Sequence, residues 1–132
     1  MSIDNQYITW LDPNARTMKL TVDWTSNGDG DVSEAISAAN MKELKGKSLA
    51  QFVTDPRTPA PDGDYDLTLL DAYGVDILGG EGVDRHTTAS EQGIPAIKSG
   101  VYGDRIIDTA LTFTIAAAGD SKQGTVILYL RW

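Results

Sequence analysis

"MKLTVDW", residues 18–24, places Met18, Leu20, Val22 and Trp24 on one side of an extended chain and Lys19, Thr21 and Asp23 on the other. A two-residue period of this kind marks a strand with one face in a core and the other toward water. The alternation recurs downstream. "YDLTLLD" (65–71) sets Tyr65, Leu67 and Leu69 against Asp66 and Thr68, and "TALTFTIAAA" (109–118) sets Leu111, Phe113 and Ile115 against Thr112 and Thr114. "TVILYLRW" (125–132) aligns Val126, Leu128, Leu130 and Trp132 after the polar turn "GDSKQG". Ile127 and Tyr129 on its reverse side predict a strand buried on both faces or covered by a neighbour. After the turn "DAYG", "VDIL" (75–78) reads as a short return strand that closes a hairpin. Strands separated by turn clusters at this density predict an all-β fold, a small antiparallel β-sandwich or barrel with little helix.

The segments between these strands read less regularly. "SEAISAANMKELKG" (33–46) is the helix candidate, with Ser33 as N-cap and Gly46 as stop, and a single helical turn is expected around "TTASEQ" (87–92). The proline-rich "TDPRTPAPDGD" (54–64) is expected to be a surface loop, because proline cannot donate to a ladder. Residues 1–16 show weak patterning apart from Tyr7, Ile8, Trp10 and Leu11. They read as an N-terminal arm that packs on a neighbour, or as a first strand, ahead of one sandwich or barrel domain over 17–132. An arm would be dispensable for folding and needed for assembly.

Composition narrows the function classes. With 132 residues, 41% of them hydrophobic, the chain suits one domain with its own core. It has no cysteine, which removes disulfides, thiolate metal sites and thiol nucleophiles. A formal net charge of −8 repels phosphate backbones and anionic lipid, arguing against nucleic-acid and membrane partners. No apolar run approaches the roughly 18 residues of a membrane span. "MSIDNQYITW" lacks the basic start and apolar run of a secretion signal, so synthesis in a cytoplasm is expected.

"SNGDGDVSE" (26–34) imitates part of a calcium loop. In the EF-hand register Asn27, Asp29 and Gly30 fill the third, fifth and sixth positions, but Thr25 stands at the first and Ile36 at the twelfth, where acidic ligands are needed. A strand, not a helix, precedes it. The reading is a β-turn in which Asn27, Gly28 and Gly30 supply positive φ, with a weak cation site as the minor alternative. His86, in "GVDRHTTASEQG", has no elbow motif or marked nucleophile beside it and reads as a hydrogen-bonding loop residue. The 19 acidic residues offer many carboxylate pairs and single out none, and "GVDILGGEGVD" lacks phosphate-loop spacing. No catalytic, cofactor-binding or metal residue is assigned, and no enzyme is expected. Trp10, Trp24 and Trp132 with Tyr7, Tyr73, Tyr102 and Tyr129 could form a sugar-stacking platform. Against this, Trp24 and Trp132 fall on apolar strand faces and are expected in the core, leaving Trp10 as the candidate interfacial contact.

Three stretches together carry a family pattern: "VTDPRTPAPDGDYDLTLLDAYGVDILGG", "VDRHTTASEQGIPAI" and "GVYGDRIIDTALTFTIAAAGDSKQGTVILYLR". Thr54, Pro56, Tyr65, Asp66, Thr68, Leu69, Asp71, Gly74, Val75, Asp76, Arg85, Glu91, Gln92 and Pro95 hold its fixed positions. Over residues 17–131 the chain resembles a family of small virion structural proteins of tailed bacteriophages. That resemblance implies a non-enzymatic part present in many copies on the virion. The favoured role is a capsid decoration (cement) protein on the outer head, clamping the major capsid protein lattice, as a homo-oligomer with a trimer favoured. A head–tail connector, neck or tail component is the alternative within the class, and a carbohydrate-binding module the alternative outside it.

Overall fold

The 18–24 alternation lies within strand β2 (Thr17–Thr25), whose Met18, Leu20, Val22 and Trp24 are fully buried. In the computed structural model, which describes residues 2–12 and 14–132, β2 is flanked by β1 (Ser2–Asp12) and by β11 (Gln123–Arg131). β4 (Ser48–Pro56) lies beyond β11, and both β6 (Glu91–Gly93) and the two-residue β9 (Arg105–Ile106) pair with β4. A second sheet has the order β3 (Val32–Ala35), β10 (Thr112–Ala116), β5 (Asp66–Leu70). Every pairing is antiparallel. β7 (Ala96–Lys98) and β8 (Val101–Tyr102) form a separate small hairpin.

The two larger sheets enclose one core. Leu20, Val22, Phe52, Val126 and Leu128 of the first sheet join Val32, Leu67, Leu69, Phe113 and Ile115 of the second. Trp24 meets Tyr65 across the interior at 5.6 Å between ring centroids. The protein is an all-β antiparallel sandwich, and burying these side chains, worth roughly 1.5–3 kcal/mol each, supplies the main favourable term.

Ser2–Asp12 is the first strand, paired with β2 from Ser2↔Thr25 to Asp12↔Thr17 with register shifts between Ile3 and Asn5 and between Trp10 and Asp12. Its Ile3 and Ile8 pack on the core.

Several expectations are corrected. The 33–46 segment is not one helix. Val32–Ala35 is a strand against β10, and the helix α1 is Ala38–Leu44. Its N-cap is Ser37, not Ser33; the Ser37 side chain accepts from the Asn40 amide. Ser33 pairs with Thr114 because Val32 and Ile36 must reach the core, and a strand exit satisfies both. The helix ends at Leu44, with Lys45 already extended as its C-cap, and Gly46 follows with φ 86°, its amide donating to Ile107.

Val75–Leu78 is not a return strand. A single bridge joins Leu70 and Asp76, and the chain then turns, because Asp76 Oδ1 accepts from Leu69 and Leu78 amides and Oδ2 from Gly80. Residues 87–90 form no helical turn either: His86 Nδ1 accepts from the amides of Thr88 and Ala89, which bends the chain into β6. The proline-rich loop starts later than expected, since β4 runs through Pro56 opposite Gly124. Ile127 and Tyr129 are half-buried on the open face of the first sheet, so β11 is not buried on both faces.

Candidate interaction surface

The family-pattern residues converge on loops beside β4 and β5. Arg85 is 7% exposed and bridges backbone-to-backbone with Tyr65. Its Nε donates to Thr54 Oγ1 (3.0 Å), its Nη1 donates to the Glu81 carbonyl (3.2 Å), and the guanidinium lies 5.2 Å from the Phe52 ring centroid. Glu91 stands 3.7 Å away and also accepts from the His86 amide at 2.6 Å. Nη2 of Arg85 and the Tyr65 hydroxyl are buried without a partner of good geometry, the Thr54 hydroxyl beside them being engaged by Arg85. Burial pushes the Tyr65 hydroxyl above its ordinary pKa, and the Thr54 and Arg85 side chains oppose that only in part. Asp71 Oδ1 accepts from Tyr73 and Val75, and Asp66 Oδ1 from Asp84. These side chains tie loops to the sandwich.

The aromatics do not make a stacking row. Trp24 is buried as expected, whereas Trp132 is corrected from core to surface: it is 44% exposed, because β11 ends at Arg131 and the next residue projects past the end of the sandwich. There it meets Trp10, itself 50% exposed, edge to face at 5.7 Å and 85°. Lys47 Nζ lies 4.9 Å from the Trp132 ring and 5.8 Å from that of Trp10. Perpendicular rings capped by an ammonium suit protein contact better than a flat sugar face. Tyr73 is at a loop tip, Tyr102 on the β7–β8 hairpin, and Tyr7 and Tyr129 on strands of the first sheet.

"SNGDGDVSE" crosses from β2 in one sheet to β3 in the other. Asn27 Oδ1 accepts from the Asp29 and Asp31 amides, and the Asn27 carbonyl accepts from Gly30. Gly30 has φ 84°; Asn27 and Gly28 do not take the positive φ expected of them. The asparagine oxygen is thus committed to the turn's own backbone.

Sequence reading missed a run of exposed apolar side chains. Ile94, Ile97, Val101, Tyr102 and Ile106 are all solvent-facing within thirteen residues around the β7–β8 hairpin. The hairpin leans on the body through the Ala96 amide, which donates to Leu78, and through Arg105 Nη1, which donates to the Ala96 carbonyl. Beside it a groove of about 420 Å³ is lined by Gln51, Glu81, Gln92, Gly93, Ile94 and Tyr102. Several solvent-facing apolar side chains within one short segment are the kind of feature that contacts with other macromolecules use. The signal in "IPAIKSGVYG" was the density of apolar residues without strand alternation. No helix among the described residues is long and apolar enough to cross a membrane.

No protein-family profile matches the chain, and no curated protein matches it. Among solved structures the chain is similar to one described under "Bacillus endospore appendages form a novel family of disulfide-linked pili". That likeness has a TM-score of 0.52 at 15% identity and covers 97% of this chain and 89% of the other. At this identity the likeness is one of fold.

Proposed function

We propose that the chain is a non-enzymatic structural subunit of a tailed-phage virion, a decoration protein that binds the major capsid protein lattice on the outer head. The observation that carries this reading is the run of exposed apolar side chains Ile94, Ile97, Val101, Tyr102 and Ile106, a composition suited to contact with a partner. The resemblance over residues 17–131 supplies the setting. The acidic surface suits a place outside packaged DNA. In this role function is binding alone: each copy adds buried interface between capsid subunits, and many modest contacts sum by multivalency. The sandwich resembles that of a chain from disulfide-linked pili, but this chain has no cysteine, so disulfides do not join its copies.

Immunogold labelling of purified particles with an antibody to this chain tests the reading. Label over the whole head is expected. Label at one vertex or on the tail would reassign the chain to the connector, neck or tail, and its absence from both intact and disrupted particles would reject the virion role.

A further inference from the structure

The two ends of the sandwich differ in charge, and they lie at opposite ends of β2. At the end where β2 begins, Arg16 and Lys47 lie beside Trp10 and Trp132, through the Trp132 amide donating to the Arg16 carbonyl and Lys47 over both rings, and Lys42 and Lys45 precede Lys47 in the last turn of α1 and at its C-cap. Lys47 Nζ also donates to the Glu43 carbonyl. The acids at this end include Asp12, whose side chain caps Asn14, and Glu43, while Arg131 is neutralised by Asp104 through bonds of 2.7 and 2.9 Å.

At the far end three loops meet, joined by the Ala118 amide donating to Gly30 and the Asp62 amide donating to Ala118. They and the start of β5 carry Asp29, Asp31, Asp62, Asp64, Asp66 and Asp120, and Asp84 joins them from a further stretch, its amide donating to Asp66. Among the described residues, these loops carry the basic side chains Lys122 and Arg57, and Arg57 already faces Asp23 at 3.7 Å.

β2 separates the two ends by about 27–30 Å at roughly 3.4 Å per residue. Screening acts over about 8 Å at physiological ionic strength, so the ends cannot neutralise each other within one molecule. We propose that copies of this chain join head to tail, the tryptophan–lysine end of one seated on the acidic loops of the next. Half-exposed tryptophans are the residue type that anchors interfaces, and the surrounding cations select the acidic end over other surfaces. Because the two patches differ, the contact is heterologous and builds a closed ring or an open row, not a two-fold dimer. The inference deepens the virion-subunit reading and rests on it only for its setting.

The test uses the purified chain alone, by sedimentation at low and high ionic strength. Concentration-dependent species larger than one chain are expected at low salt, reverting to monomer at high salt. Lys47→Glu with Trp132→Ala blocks one end, and Asp29→Lys with Asp120→Lys blocks the other. Each blocked variant alone should sediment as a monomer, and an equimolar mixture should form a 1:1 dimer and nothing larger. Arg16→Glu replaces the first variant if that one loses its native circular dichroism. A chain that stays monomeric at low salt, or oligomers that survive both blocks, or a two-fold dimer would overturn the proposal. Those outcomes leave head labelling of particles as a separate question, so failure here and failure of the decoration role are distinguishable.

Discussion

Gly124 stands opposite Trp24 in the β11–β2 ladder, where an added Cβ would lie 2.4 Å from Trp24 Cζ2. Nothing in the sequence alone separates this glycine from the turn glycine Gly119 nearby, since both flank "GDSKQG"; only the cross-strand partner does. Gly124→Ala should therefore destabilise the fold by about 1–3 kcal/mol through overpacking, read as a lower urea midpoint with unchanged slope. Arg85 is the other residue whose role depends on burial. Arg85→Ala removes its bonds to Thr54 and Glu81 and its contact with Phe52, and a loss of about 2–4 kcal/mol is expected. Arg85→Lys should recover little of it, because an ammonium cannot span both acceptors; full recovery would show that charge alone matters there. Tyr65 gives a pH prediction. Its folded pKa is raised above the ordinary 10.0, so the stabilisation it contributes is fully present below that value and is lost as pH rises through the folded pKa. Denaturation midpoints should fall on the alkaline side above about pH 10, and Tyr65→Phe should flatten that fall while costing little at neutral pH, because the lost hydroxyl had no good partner.

At the scale of elements, period-two patterning identified β2, β5, β10 and β11 because each has one face in the core. Where the signal was weak the cause is physical. β1 is an edge strand whose outer residues, including Tyr7, Trp10 and Leu11, are exposed, so its alternation is blurred. It nevertheless does more than lie along β2. The Gln6 side chain accepts from the Ser37 amide at 2.8 Å and from Asn40 Nδ2 at 3.0 Å, docking the start of α1. Deleting residues 2–12 should consequently broaden or abolish cooperative thermal unfolding, as it also uncovers the β2 backbone. A sharp transition at the parental midpoint would show instead that the strand is a dispensable arm. The 33–46 segment was misread because seven helical residues leave two turns at most, too few for a periodic signal, and Ser33 and Ser37 are equally good caps in isolation. Ser37→Ala should lower stability by about 1 kcal/mol while Ser33→Ala leaves it nearly unchanged.

At the scale of the whole molecule, the surface is where the sequence says least. Trp132 continues the alternation of β11 and looks like core until the sandwich is seen to end one residue earlier. The seven carboxylates of the acidic end come from four separated stretches of chain, so their proximity exists only once the loops are brought together. Binding between copies should then weaken steeply with salt, because its charges are exposed and screenable; an affinity indifferent to salt would point to the apolar hairpin surface instead. By itself the sequence determined the all-β antiparallel class, the main core strands and the existence of a turn after β2. Those follow from local rules, the alternation of side chains along a strand and the hydrogen-bonding habits of individual residues. The tertiary structure alone decided the order of strands, the burial of Arg85, the exposure of Trp132 and the opposed charge of the two ends. Each of these depends on which distant segments become neighbours, and spacing along one chain does not encode that distance.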